Sequence, residues 1–162
     1  MLSGNTGVAI YLVQHGAAKV EAEDPQRSLT GEGRRTVERV GEHLAKCSVR
    51  VDRIEHSDKL RAQQSAEILA VKLHPVYGTG PVSGLAPNDD VEPTCVRLNQ
   101  ENRTVMLVGH LPHLSRLVSR LCSLPAEHSL VRFQMSGVVK LERDASGRWV
   151  LCWMFTPELL SC

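Results

Sequence analysis

Two stretches of this chain share one design. "VAIYLVQHG" (Val8–Gly16) and "VMLVGH" (Val105–His110) are apolar almost throughout and then stop on a histidine beside a glycine. A strand with one wet face alternates apolar and polar residues. A run without alternation needs cover on both faces, as at the centre of a parallel sheet between helices. The chain is therefore expected to build a layered α/β domain, with both histidines at strand ends.

The intervening pattern agrees. Val8–Val13 reads as a strand. Thr30–Lys46 reads as an amphipathic helix with Val37, Val40, Leu44 and Ala45 on one face and Thr30 as N-cap. Arg34, Arg35 and Arg39 fall on its wet face, with Glu38 and Glu42 as their partners. Val51–His56 is a second strand and Leu60–Leu73 a second helix. The Gly- and Pro-rich stretch His74–Asp90 reads largely as loop. Val91–Leu98 is a short helix, and Arg103–His110 holds the second apolar strand. Leu114–Leu124 is a helix started near Pro112. Gly137–Met154 reads as two strands joined by a turn at Asp144–Gly147, an antiparallel edge for a mainly parallel sheet. No repeat or linker divides residues 1–162, so one domain is expected.

Composition removes several function classes. A net charge of +1 lacks the basic excess that nonspecific nucleic-acid binding requires. No apolar run approaches the length of a membrane span. Met1–Gly7 is short and polar, unlike a signal peptide, so a cytoplasmic location is expected. The five cysteines are scattered without a CxxC spacing and read as reduced thiols. Cys122 and Cys152 lie in apolar runs and are expected in the core.

In such sheets ligands bind beyond the carboxyl ends of the strands. His15 and His110 both emerge there, and so does the segment Ser57–Arg61. Two histidines and Arg61, with Ser57 and Gln14 close by, make a phosphate pocket. Arginine presents a fork of donors matched to phosphate oxygens. Gly16 would let the backbone approach a ligand. A neutral imidazole is a competent nucleophile near pH 7. The second histidine, protonated, would steady equatorial oxygens during transfer. His110 and His113 have an HxxH spacing, but Pro112 between them and the lack of a carboxylate-rich motif argue against metal. His43, His56, His74 and His128 read as surface or helix-end residues.

"YLVQHG", "RSLTGEG", "HSDKLRAQQSAEIL" and "VMLVGHLPHLSRLV", in this order, resemble the histidine phosphatase superfamily, and most of all its SixA-type phosphohistidine phosphatase branch. The resemblance covers nearly the whole chain. It implies a three-layer αβα sandwich and no metal or organic cofactor. It assigns the nucleophile to His15, a phosphate-binding arginine to Arg61 and the second pocket histidine to His110. Arg27 would line the pocket mouth, and Ser57, Ala62 and Gln64 complete the motif around Arg61. The chain departs from the family pattern at Gln14, where the family has arginine. An amide has fewer donors and no charge, so Lys19, Arg27 or Lys59 would have to supply the missing cation. Larger members carry an acid that protonates an alcohol leaving group; the candidates here are Asp89 and Asp90, which also read as a turn and helix cap. The implied substrate is phosphohistidine on a protein. The alternatives are a small phosphate monoester, with Asp89 or Asp90 as acid, and a noncatalytic domain that binds phosphate or a phosphoprotein.

Overall fold

The computed structural model describes residues 7–161; Met1–Thr6, most of the short polar start, and Cys162 lie outside them. The elements run β1 (Ala9–Gln14), α1 (Gly31–Lys46), β2 (Arg53–His56), α2 (Leu60–Leu73), β3 (Thr79–Pro81), α3 (Glu92–Gln100), β4 (Val105–Gly109), α4 (His113–Leu121), β5 (Val138–Arg143) and β6 (Trp149–Phe155), followed by a 3-10 turn at Pro157–Ser161. The strands form one six-stranded sheet in the order β3-β2-β4-β1-β5-β6. β1, β2, β3 and β4 are mutually parallel, while β5 and β6 form the antiparallel edge.

Both faces of the sheet are covered, which accounts for the unalternating strands. Tyr11 and Val13 of β1 pack with Val37, Val40 and Leu44 of α1 and with Ala66 and Leu69 of α2. Ile10 and Leu12 turn the other way, against Leu98 of α3 and Leu114, Leu117 and Val118 of α4. The result is the three-layer αβα sandwich. Chain path and handedness explain the split. The crossovers β1→β2 and β2→β3 travel toward one edge, and β3→β4 travels back. Right-handed crossovers in opposite directions must lie on opposite faces, so α1 and α2 share one face and α3 takes the other. The buried Glu55 carboxylate of β2 is held by Arg97 of α3 at 2.8 Å.

Several expectations need correction. β3 is a real strand inside the expected loop, only three residues long and containing Gly80 and Pro81. Ala45 is exposed rather than on the buried face of α1. Glu42 pairs with Lys72 of α2 at 2.9 Å, and Arg39 bonds the Leu160 carbonyl, so α1's arginines and glutamates do not partner one another. Cys152 is exposed because β6 is an edge strand open to solvent, and Cys122, at the C-cap of α4, is half-buried against the core. His56 is buried, since β2 lies between β3 and β4. Among the described residues no helix is long and apolar enough to cross a membrane.

Candidate active site

β1 and β4 are neighbours in register, Gln14 opposite Gly109, so the chain leaves both strands at the same level. It then runs to α1 on one face and α4 on the other. That divergence opens a crevice at the carboxyl ends of the strands. His15 and His110 stand in it with ring centroids 5.0 Å apart.

His15 Nδ1 lies 2.7 Å from the Gly16 carbonyl. A carbonyl only accepts, so Nδ1 carries the proton and Nε2 keeps its lone pair. Arg61 Nε points its N–H at that atom from 3.3 Å. Burial lowers the His15 pKa below its usual value, and the charges of Arg61 and Arg27 add to this against the Gly16 bond. The imidazole is therefore neutral at pH 7, with a lone pair facing a guanidinium.

Gly16 serves the site differently from the expectation. Its N–H is taken by Ser65 Oγ at 3.0 Å, and Ser65 in turn donates to the Arg61 carbonyl at 2.7 Å. A Cβ on Gly16 would stand 2.7 Å from Val37 Cγ2 and 3.1 Å from the Gly33 carbonyl oxygen. The close packing of α1 against this turn requires a glycine here.

Ser57, expected beside the ligand, has its Oγ 2.5 Å from His110 Nε2. The Lys59 N–H reaches the same hydroxyl at 3.3 Å. Burial, followed by the charges of His15, Arg61 and Lys59, pushes His110 down to about 3. A doubly charged phosphoryl group reverses that local field and favours the protonated ring.

Arg27, Lys59 and Arg61 line one hollow of about 430 Å³ with Asp58 and Leu60. Arg27 occupies a left-handed conformation, φ 51°, that only a strong local frame maintains. Asp24 supplies it: its carbonyl takes the Arg27 N–H at 2.8 Å, and its carboxylate takes those of Gln26 and Ser28 at 3.0 and 2.9 Å. Leu29 N–H is pinned to Gln64 Oε1 at 2.8 Å, which ties this loop to α2. At the start of α2 no side chain caps the helix, and its first turn holds no acid. Three cations, of which Lys59 pairs with Asp58 at 3.6 Å, stand beside an uncapped helix N-terminus, an arrangement that favours an anion. Lys19 takes no part: its carbonyl accepts from Arg27 Nε, and its ammonium acts on Asp24.

Gln14 does not line this basic hollow; its side chain lines a second one. Asp89 accepts from Ala86 N–H and Asp90 from Glu92 N–H, at 2.9 and 3.1 Å, so both brace the turn ahead of α3. Among the described residues no cluster of three or more His, Cys, Asp or Glu side chains is arranged to hold a metal. The sequence reading gave Ser65 and Asp24 no role. Ser65 was within reach, four residues after Arg61 and therefore on the same face of α2.

The αβα sandwich brings two imidazoles from the ends of adjacent parallel strands together with an arginine from the first turn of α2. Residues 10–79 match the profile of the histidine phosphatase superfamily (branch 1). It is similar to the phosphohistidine phosphatase SixA of Escherichia coli (strain K12), 28% identical over 153 residues, which cover 91% of this chain and 93% of that protein. The solved structure of protein histidine phosphatase SixA complexed with tungstate superposes with a TM-score of 0.84 at 25% identity, over 94% of this chain and 99% of that one. The alpha-ribazole phosphatase of Shigella flexneri shares the fold, with a TM-score of 0.77 at 15% identity, over 93% of this chain and 97% of that one.

Proposed function

We propose that the chain is a phosphohistidine phosphatase that works through a phosphorylated His15. The observation that carries this reading is the geometry at His15: Nδ1 is locked as a donor by the Gly16 carbonyl, which leaves the attacking lone pair on Nε2, beside Arg61. Nε2 forms a bond to phosphorus, and the bond from phosphorus to the leaving imidazole nitrogen breaks. That nitrogen takes the electron pair. A phosphoramidate protonated on its other ring nitrogen leaves as neutral imidazole, so no strong acid is needed, in keeping with the structural duties of Asp89 and Asp90. Water then attacks the phosphorus of phospho-His15 and releases inorganic phosphate. Arg61, Arg27 and Lys59 neutralise the equatorial oxygens, and His110, oriented by Ser57, donates to them once protonated. Arg27 and Lys59 fill the role that the family gives to the arginine replaced by Gln14.

Radiolabelled phosphoryl groups from a phosphohistidine protein are expected on wild-type protein after rapid acid-free quenching, and on none of the His15→Ala protein. Label retained by His15→Ala, or brisk hydrolysis of sugar phosphates with phosphohistidine left intact, overturns the assignment.

A further inference from the structure

The second hollow, of about 610 Å³, opens beside the catalytic histidines, since Gln14 precedes His15 and Leu111 follows His110. Its character differs from that of the basic hollow. Leu111, Phe133 and Met135 give it apolar walls, and Leu111 and Met135 stay 39% and 50% exposed. Ser136 is only 2% exposed, yet its Oγ has no hydrogen-bond partner. Gln14 Oε1 is likewise buried and without a partner. The frame around them is rigid: Ser136 sits at φ 65° with its N–H on the Gln14 carbonyl at 2.9 Å. The one charged residue in the lining is Glu32, which has no ion-pair partner among the described residues.

A free phosphate needs none of this, and Glu32 repels a metabolite carrying further acid groups. Exposed apolar walls beside one unpaired carboxylate match a stretch of polypeptide with an apolar and a basic side chain. Resting on the reading of the site as a phosphohistidine phosphatase, we propose that this hollow is a second subsite. It binds the polypeptide flanking the phosphorylated residue: an apolar side chain between Leu111, Phe133 and Met135, and a basic neighbour against Glu32. The two hollows together then select a substrate by charge, phosphoryl group to the cations and basic flank to the acid.

The test uses three probes: a short phosphohistidine peptide flanked by leucine and lysine, the same peptide with glycine and glutamate there, and phosphorylated imidazole. Wild-type protein is expected to show a KM about tenfold lower for the first peptide than for the second. Met135→Ser and Glu32→Gln, both at exposed positions, should erase that preference while leaving turnover of phosphorylated imidazole unchanged. Equal KM values for the two peptides on wild type, or variants that impair phosphorylated imidazole as much as peptide, overturn the subsite. If none of the probes is hydrolysed, it is the phosphatase reading that fails. The subsite is then read by NMR titration with the unphosphorylated leucine–lysine peptide. Shifts at the amides of Leu111, Phe133, Met135 and Ser136 uphold it, and their absence overturns it.

Discussion

Two imidazoles of one pocket are both held neutral chiefly by burial, and this sets the response to acid. His15 has its pKa lowered from 6.5 chiefly by burial. Its Nε2 lone pair therefore survives below the pH at which a free imidazole protonates, and the acid limb of kcat/KM on a phosphohistidine peptide is expected below pH 6.5. A limb at or above that value contradicts the geometry at Gly16 and Arg61. His110 has a linked effect on folding. In the unfolded chain it binds a proton near pH 6.5, and in the folded protein only near about 3. Between these values the unfolded state holds more protons, so stability falls as pH drops and levels off outside the window. Urea unfolding at pH 7 and pH 5 should show wild type losing about 1 kcal/mol more than His110→Gln, a figure reduced for solvent screening. Equal losses in the two proteins refute the assignment.

At the scale of elements, the site depends on how closely α1 seats against the end of β1. Thr30 caps α1 by accepting from the Gly33 N–H at 2.9 Å, and Thr30 N–H bonds the Ala17 carbonyl at the same distance. A Cβ on Gly33 would lie 2.1 Å from that carbonyl oxygen, an immovable backbone atom. Gly33→Ala is expected to destabilise the protein by about 2–3 kcal/mol and to lower turnover, because α1 must retreat from the Gly16 turn. Thr30→Ala removes only a cap and should cost about 1 kcal/mol with activity kept. Thermal unfolding and turnover measured on both variants separate the two effects. The helices were legible because α1 and α2 declare their faces through periodic apolar residues and the Thr30 cap. β3 was not legible: Gly80 and Pro81 have low strand propensity, and only pairing with Ile54, Glu55 and His56 makes Thr79–Pro81 a strand.

For the whole molecule, Arg27 from the loop before α1 is brought to Lys59 and Arg61 at the uncapped start of α2, which couples anion binding to folding. Tungstate, the anion held by the SixA structure of the same fold, should stabilise the protein by about 2.7 kcal/mol at a hundred times its Kd. Arg61→Ala should abolish the effect, and high salt should weaken it. A thermal shift that survives Arg61→Ala places the anion elsewhere. The sequence by itself determined the layered architecture, because two unalternating apolar strands are stable only between helix layers. It also determined that His15, His110 and Arg61 share one edge, because strand ends and helix starts meet there. Tertiary structure alone decided what each neighbour does. The φ of Arg27, the hydroxyl of Ser57 on His110 and the bond of Ser65 to Gly16 join residues that are remote in the chain or set by loop conformation. Gln14 was the residue that sequence could flag but not place. Its side chain alternates with Val13 toward the α4 face, and only the packed hollow beyond shows that it faces apolar walls and a buried serine rather than the cations.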